Sequence, residues 1–239
     1  MSTLPRPKLT ARLGFGSLGL LVVATWLVVG VRAEATSLYD TPVEITYELT
    51  YQTTPDPTAP LTEATGRWTL RSLSDWDFEF IGGPDDGTVY RLRPDGTMSA
   101  TDGRTTVDPN PARFPAGTEM VPLPDMAFDR LAALALGDGD LPGVSAIVRG
   151  GAGVEEALKE VVARTGLAID QLRAVVVTRP ANNDVYRWDP QRADWVGIEG
   201  DVTETVVVDD LSGGVLLRQV EFDGALVRRI AVVEIRPLP

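Results

Sequence analysis

Three pairs of neighbouring aspartates are the side chains in this sequence best suited to chemistry. Two carboxylates can serve as acid and base in glycoside hydrolysis, and carboxylate oxygens are the ligands that Ca²⁺ prefers. Aspartate also favours turns, and each pair stands where the chain is expected to turn. No glutamate follows at the position that completes an EF-hand loop. We therefore expect solvated turns, and no metal or cofactor, at Asp85–Asp86, at Asp138 with Asp140, and at Asp209–Asp210.

Two residue types on which many enzymes depend do not occur in the sequence, which contains no His and no Cys. Their absence excludes thiol nucleophiles, His-based triads and zinc sites built from Cys and His. Ser145 and Ser212 do not lie in a G-x-S-x-G elbow, and Lys159 stands in a predicted helix as an ordinary surface residue. We expect no enzymatic activity, with a carboxylate-based hydrolase through Asp209 and Asp210 as an alternative.

The glycine-rich stretch 150–153 precedes a predicted helix and matches a phosphate-binding loop only in part. It lacks the third glycine of G-x-G-x-x-G and the lysine of a P-loop. Glu155 and Glu156 follow in the first turn of the helix, where they would repel a phosphate. The stretch therefore predicts a flexible start to the helix.

The charge balance is acidic, with 22 Lys and Arg against 34 Asp and Glu, a net charge of −12. Nucleic-acid binding depends on a basic surface that displaces the counterions of the phosphate backbone. We therefore expect no nucleic-acid partner.

A run of 19 residues without a charged side chain extends from Leu13 to Val31. About 20 apolar residues are needed to cross a bilayer. Arg6, Lys8 and Arg12 precede the run, so the positive-inside rule places residues 1–12 in the cytoplasm and the rest of the chain outside. The sequence predicts a single-pass anchor in the cytoplasmic membrane that includes Leu13, Leu20, Leu21, Val22, Val23, Trp26, Leu27, Val28 and Val29.

A cleaved signal peptide is the alternative, because Ala33-Glu34-Ala35 matches the A-x-A cleavage pattern. The apolar core of a signal peptide usually spans about 7–15 residues, which favours the retained anchor. Both interpretations export the domain, which would be secreted if cleavage follows Ala35. The predicted organisation is a basic tail over 1–12, an anchor over 13–31 and one extracytoplasmic domain over 37–239.

Beyond the anchor the hydrophobic pattern changes to a period of two. Val43 to Gln52 alternates strictly, which predicts a half-buried antiparallel strand. Further alternating segments follow up to Ala100 and again from residue 174 to residue 235, joined by Asp-Gly turns such as Asp95-Gly96 and Asp223-Gly224. The pattern predicts a series of hairpins.

Two helices are predicted between the groups of strands. Apolar residues at helical spacing begin at Val154 and end before Gly166, and a shorter helix is expected from Asp125 to Leu136. Residues 103–124 are rich in proline and predict a loop. The expected fold is α+β, a large antiparallel sheet shaped like an open half-barrel with helices on one face, preceded by one transmembrane helix.

Six aromatic residues come from successive predicted strands and fall on one face of the sheet. They could pack against the helices as ordinary core, which is the favoured interpretation. Alternatively they could line a cavity for a lipid or another apolar ligand. The six are Tyr47, Trp68, Trp76, Phe78, Phe80 and Tyr90.

Two segments carry a resemblance to a known superfamily. They are GRWTLRSLSDWDFEFIGGPDDGTVYRLRPDGTMSATDG at 66–103 and VVVDDLSGGVLLRQVEFDG at 206–224. Their order of strands and glycine turns resembles bacterial extracytoplasmic lipoprotein-carrier and sigma-regulator sensor domains, the LolA/RseB-like superfamily. The resemblance implies an unclosed barrel, helices that plug it, an apolar cavity and no catalysis. The chain lacks that superfamily's helix before the first strand and its lipobox cysteine.

These features together favour a membrane-anchored, non-enzymatic, extracytoplasmic binding or sensor domain. Its expected partners are the membrane, an apolar ligand such as a lipid, and a membrane protein. An accessory single-pass subunit of a larger membrane protein complex is the second hypothesis, and the carboxylate-based hydrolase is the third.

Overall fold

The computed structural model describes residues 40–54, 56–101, 106–107, 130–138, 140–181 and 185–239. All of them belong to one compact unit, Ser37–Pro239. The predicted anchor over 13–31, its nine named residues, the cleavage site after Ala35 and the predicted helix start at Asp125 lie outside the described residues. Within the described part, no helix combines the length and apolar character needed to span a bilayer.

Strands dominate the described residues, with two α-helices and one 3-10 turn between them. The helices are α1 (Arg130–Ala135) and α2 (Ala152–Thr165), and the 3-10 turn is Ile169–Gln171. The strands are β1 (Val43–Gln52), β2 (Leu61–Ser72), β3 (Asp75–Ile81), β4 (Val89–Leu92), β5 (Met98–Thr101), β6 (Thr106–Val107), β7 (Ala146–Val148), β8 (Leu172–Pro180), β9 (Tyr186–Asp189), β10 (Asp194–Gly197), β11 (Asp201–Asp209), β12 (Val215–Phe222) and β13 (Ala225–Pro237).

Eleven of these strands form one antiparallel sheet in the order β6-β5-β4-β3-β2-β1-β13-β12-β11-β8-β7, and β9 and β10 form a separate hairpin. The predicted sheet-dominated α+β fold is therefore confirmed. The last strand, β13, lies between β1 and β12, so it joins the N-terminal hairpins to the C-terminal ones. The half-barrel curvature of this sheet stays a prediction.

The strand β1 and the turn between β12 and β13 agree with the local sequence patterns that predicted them. In β1 buried and less buried residues alternate from end to end, as the period of two predicts. Asp223 and Gly224 both have positive φ, 47° and 78°, in the two-residue turn between β12 and β13. Such a turn matches the twist of a hairpin, and Asp-Gly adopts it at low cost.

The two faces of the sheet can be assigned from the register, because directly paired residues of adjacent strands point to the same side. One row of paired residues runs across five strands: Tyr51, Arg228, Val220, Glu204 and Val177. The neighbouring row is Leu49, Ile230, Arg218, Val206 and Val175. Both rows share a face with the six aromatic residues of β1–β4, and we call this side the aromatic face.

The two helices lie on opposite faces of the sheet. On the aromatic face, α1 packs in one buried cluster with Val175, Val206 and Val208. On the other face, α2 contacts β8, β11, β12 and β13, where Arg229 of β13 pairs with Glu160 of α2. The prediction that the helices share one face is therefore wrong. Strands β8 and β11 are buried on both sides, so each face needs its own cover.

The end of α2 agrees with the prediction. Gly166 adopts the left-handed conformation at φ 72°, and its N–H donates to the carbonyl oxygen of Val162. Glycine takes this conformation without the steric penalty that a Cβ would add. The helix therefore ends at Thr165, directly before the predicted stop.

Close packing on the aromatic face requires a glycine in β2. A Cβ at Gly66 would stand 2.5 Å from Cζ of Phe78 and 3.3 Å from Cδ1 of Leu49. The Phe78 ring is fully buried, so it has little room to withdraw.

Replacing Gly66 by alanine is expected to lower the free energy of unfolding by about 1–3 kcal/mol, because the added methyl overpacks the core. Gly150→Ala is the matched control, since a Cβ there meets no atom within 4 Å. Urea unfolding of both variants measures the difference. Equal stability of the two variants would contradict the packing described for Phe78.

An ion network lies on the opposite face of β3. Arg71 Nη2 is 2.5 Å from one carboxylate oxygen of Asp77, and Arg93 Nη2 is 2.7 Å from the other. Partial burial acts to raise the pKa of Asp77, but the hydrogen bonds and charges of Arg71 and Arg93 outweigh it and lower that pKa below its ordinary value.

The lowered pKa of Asp77 predicts a loss of stability in acid. Because the folded protein holds this proton less tightly than the unfolded chain, the ionised carboxylate stabilises the fold above the ordinary pKa of 3.8. This contribution disappears as the pH falls through the folded pKa. Asp77→Asn should cost about 1 kcal/mol at pH 7 and progressively less below about pH 4.

Urea unfolding at a series of pH values tests this expectation, with Glu63→Gln as a control that removes an exposed carboxylate from the neighbouring strand. A stability difference between Asp77→Asn and the natural chain that grows towards low pH would contradict it.

Candidate functional site

A cleft of about 240 Å³ opens on the aromatic face, above the middle and C-terminal strands of the sheet. Its charged and polar lining residues are Arg179, Glu204, Arg218, Arg228, Gln52 and Thr54. Its apolar lining residues are Val185, Val202, Val220, Phe222 and Val227. The cleft therefore combines a charged side with an apolar wall.

The register of three strands brings Arg179, Glu204 and Arg218 together. Glu204 of β11 pairs with Val177 of β8 on one side and with Val220 of β12 on the other. Arg179 lies two residues after Val177 in β8, and Arg218 lies two residues before Val220 in β12. Both arginines are therefore diagonal neighbours of Glu204. Diagonal neighbours in a sheet are about 7–8 Å apart, a separation that arginine side chains can bridge.

Glu204 binds both arginines at the floor of the cleft. Arg179 Nη2 donates to Oε1 of Glu204 at 3.1 Å, and Arg218 Nη2 donates to Oε2 at 3.1 Å. Glu204 is 7% exposed, whereas the side chains of Arg179 and Arg218 are 25% and 29% exposed. A buried carboxylate requires such partners, because an unpaired buried charge is strongly destabilising.

The apolar wall is a small buried cluster of Ala181, Val185, Val202 and Phe222. The Phe222 ring packs onto the backbone of Gly200, where a Cβ would come within 2.4 Å of its Cζ. Any larger residue at position 200 would move this ring. The glycine therefore helps to fix the apolar side of the cleft.

The β9–β10 hairpin begins at the rim of the cleft. Ile198 N–H donates to the carbonyl oxygen of Val185 at 3.1 Å, which closes the base of the hairpin. Further along, the rings of Trp188 and Trp195 meet edge to face with centroids 5.6 Å apart. They are 45% and 38% exposed, so the hairpin presents an aromatic pair to solvent.

The six aromatic residues singled out in the sequence do come together on the aromatic face. Their exposure ranges from 0% to 6%, and neighbouring rings meet at centroid distances such as 5.3 Å for Phe78 with Phe80 and 6.0 Å for Trp68 with Trp76. The hydroxyl of Tyr47 donates to the carbonyl oxygen of Val215 at 3.1 Å. A ligand among these six residues stays a prediction, and the cleft described above is lined by other residues.

Two of the three aspartate pairs, Asp209–Asp210 and Asp85–Asp86, take part in local structure through their side chains. Asp209 is 3% exposed and accepts hydrogen bonds from the amide and the hydroxyl of Ser212. Asp210 forms an ion pair with Arg173 at 2.6 Å. In the described ranges, no group of three or more acidic residues is arranged to hold a metal ion.

Asp85 and Asp86 serve the turn after β3. Asp86 accepts a hydrogen bond from the Gly82 amide at 2.7 Å, and Asp85 accepts one from the hydroxyl of Tyr51 at 2.7 Å. Burial raises the pKa of Tyr51 well above its ordinary value, and the hydrogen bond and charge of Asp85 act in the same direction. Tyr51 therefore remains a neutral donor.

The glycine-rich stretch acts as the start of α2. Gly151 has φ 97°, and its carbonyl oxygen accepts the N–H of Glu155 in the first helical turn. The stretch therefore begins the helix as predicted, and its flexibility stays a prediction.

The charged side of the cleft was not predicted from the sequence, although a signal for it exists. In β11 the residues on the aromatic face are Val202, Glu204, Val206 and Val208. A single carboxylate in a row of valines that are otherwise buried implies a cationic partner on a neighbouring strand. Which arginines supply it depends on the register, which the sequence alone does not determine.

Comparison with known proteins yields structural similarity only. No protein-family model matches the chain, and no curated protein matches it. Sixteen chains of solved structures are similar to it. One belongs to the MucA/MucB complex of Pseudomonas aeruginosa, at 12% identity and a TM-score of 0.42, and the similarity covers 83% of this chain and 52% of that one. The chain thus spans about half the length of that relative, and the TM-score is too low to establish a shared fold.

The assignment of the Asp209–Asp210 pair to a turn can be tested by alanine substitution. Asp209→Ala should lower the free energy of unfolding by about 1–3 kcal/mol, because the amide and hydroxyl of Ser212 lose the buried carboxylate that accepts their hydrogen bonds. Asp210→Ala removes one exposed ion pair and should cost at most about 1 kcal/mol. Thermal unfolding of both variants is the measurement, and a larger loss for Asp210→Ala would contradict the assignment.

Proposed function

We propose that this chain is a non-enzymatic binding or sensor domain that holds a small ligand with an apolar part in the cleft above β8, β11, β12 and β13. The observation that carries the proposal is the composition of the cleft, an apolar wall next to fixed charges. Ligand sites are typically concave and mostly apolar, with a few polar groups that orient the ligand. This cleft is concave and of small-molecule size, but its lining is more polar than apolar, so its charged residues would supply much of the contact with a ligand.

The contacts made by the candidate catalytic side chains support the non-enzymatic part of the proposal. The chain has no histidine or cysteine, and Glu204, the carboxylate among the described lining residues, is bound by Arg179 and Arg218. Asp209 and Asp210, the residues of the hydrolase alternative, each bind a structural partner near the turn after β11. Their geometry gives that alternative no further support.

We further propose that the domain lies outside the cytoplasmic membrane and is held there by the segment 13–31. The charge pattern around that segment supports this placement. The LolA/RseB-like resemblance agrees with an antiparallel sheet that carries a ligand on one face. In this proposal a membrane protein partner would receive the signal of ligand binding.

Native mass spectrometry of the full chain in lipid nanodiscs tests whether the cleft holds a ligand. The expected result is a small non-covalent adduct on the natural chain. Val220→Phe should abolish the adduct, because Val220 is half-buried in the lining and the larger ring fills the cleft. A chain without an adduct, or an adduct that survives in Val220→Phe, would contradict the proposal.

Leu73→Phe is the matched control for this variant. Leu73 is 57% exposed and lies outside the cleft lining, so the same added ring should leave the adduct in place. Thermal unfolding of both variants shows whether a lost adduct reflects a filled cleft or a damaged fold.

A further inference from the structure

We propose that the cleft recognises a carboxylate head on a ligand with an aliphatic tail, and that Arg218 and Arg228 bind this head. The inference rests on the proposed function, since it names the ligand class of the same cleft. Arg218 pairs with Ile230, two residues along β13 from Arg228, so both arginines lie on the aromatic face at adjacent diagonal positions. Both line the cleft.

The described lining residues carry a charge opposite to that of the chain. Among them are three arginines and one glutamate, in a chain whose net charge is −12. A local excess of positive charge between low-dielectric walls attracts anions. The planar fork of N–H donors in arginine fits two oxygens of a carboxylate or of a phosphate. The negative charge of Glu204 beside these arginines favours the carboxylate, because a phosphate monoester carries more negative charge and is repelled more strongly.

The arginines of the cleft already bind one carboxylate, the side chain of Glu204. Each of its oxygens accepts a hydrogen bond from a different arginine, and the group lies at the buried floor. A ligand carboxylate would share Arg218 with Glu204 and would be repelled by its negative charge. Glu204 therefore sets an upper limit on the affinity for an anion, and removing its charge should raise that affinity.

The volume and the apolar wall define the rest of the ligand. A cleft of about 240 Å³ corresponds to the volume of about eight water molecules. Val202, Val220 and Phe222 lie beside the charged residues and offer contact to a hydrocarbon chain. Octanoate, with one carboxylate and a short saturated tail, is the probe that matches both properties.

Calorimetric titration of the full chain in nanodiscs, with an empty-nanodisc titration subtracted, tests the inference. The probes are octanoate, 1-octanol, octylamine and octyl phosphate, which share a tail and differ in the head. Octanoate should bind about tenfold more tightly than octanol, because arginine adds a charge-assisted interaction. Octylamine should bind most weakly, and octyl phosphate no more tightly than octanoate.

Two substitutions assign the effect to the cleft. Arg228→Gln should weaken octanoate binding about fivefold and leave octanol unchanged. Arg67→Gln is the control, since it removes the same charge from the opposite face, where Arg67 pairs with Glu79. Glu204→Gln should strengthen octanoate binding, and if that variant does not fold, Arg228→Gln decides the question alone.

The outcomes separate the two proposals. Octanol that binds as tightly as octanoate, or octylamine or octyl phosphate that binds more tightly, would overturn the carboxylate inference and leave the binding cleft in place. An equal loss for Arg67→Gln and Arg228→Gln would also overturn it. If none of the four probes binds, the proposed function itself fails for ligands that fit this volume.

Discussion

A carboxylate buried in a sheet must be neutralised by a cation, and the C-terminal half of this domain is organised around that requirement. Glu204 lies on β11 between two strands that each supply an arginine, Arg179 from β8 and Arg218 from β12. The three strands must therefore keep one register. If β11 slipped by one residue, the side chain of Glu204 would point to the opposite face of the sheet, and both arginines would lose their contact with it.

The same requirement places charged residues in the cleft. Arg179 and Arg218, which bind Glu204, line it together with Arg228. The apolar cluster around Phe222 closes one side of that space, and the β9–β10 hairpin begins at its rim. In our proposal, the charged residues that depend on this register would also bind the anionic head of the ligand.

Much of the fold could be predicted from the sequence, since it depends on local patterns. The alternation from Val43 to Gln52 fixed the length of β1, and Gly166 marked the end of α2. The placement of the helices was wrong because it assumed one buried face. The consecutive valines Val206, Val207 and Val208 are all buried, which indicates a strand covered on both sides.

The candidate site could not be predicted in the same way. The partners of Glu204 lie 25 and 14 residues away in sequence, and only the register of paired strands brings them within reach. The aromatic residues could be predicted as one group from the sequence, because large apolar side chains at alternating positions indicate a buried face of a sheet. The sequence signal for the cleft is instead Glu204, a charged residue at a position where the strand pattern expects an apolar one. This signal can be interpreted only when the residues on the neighbouring strands are known.

Nitrogen-edited NMR of the arginine Nε–H groups, recorded on the full chain in nanodiscs as octanoate is added, shows whether the arginines of the cleft bind the carboxylate. We expect the signals of Arg218 and Arg228 to shift and saturate together while that of Arg67 stays in place. Shifts confined to arginines outside the cleft, or no saturable shift at all, would contradict it.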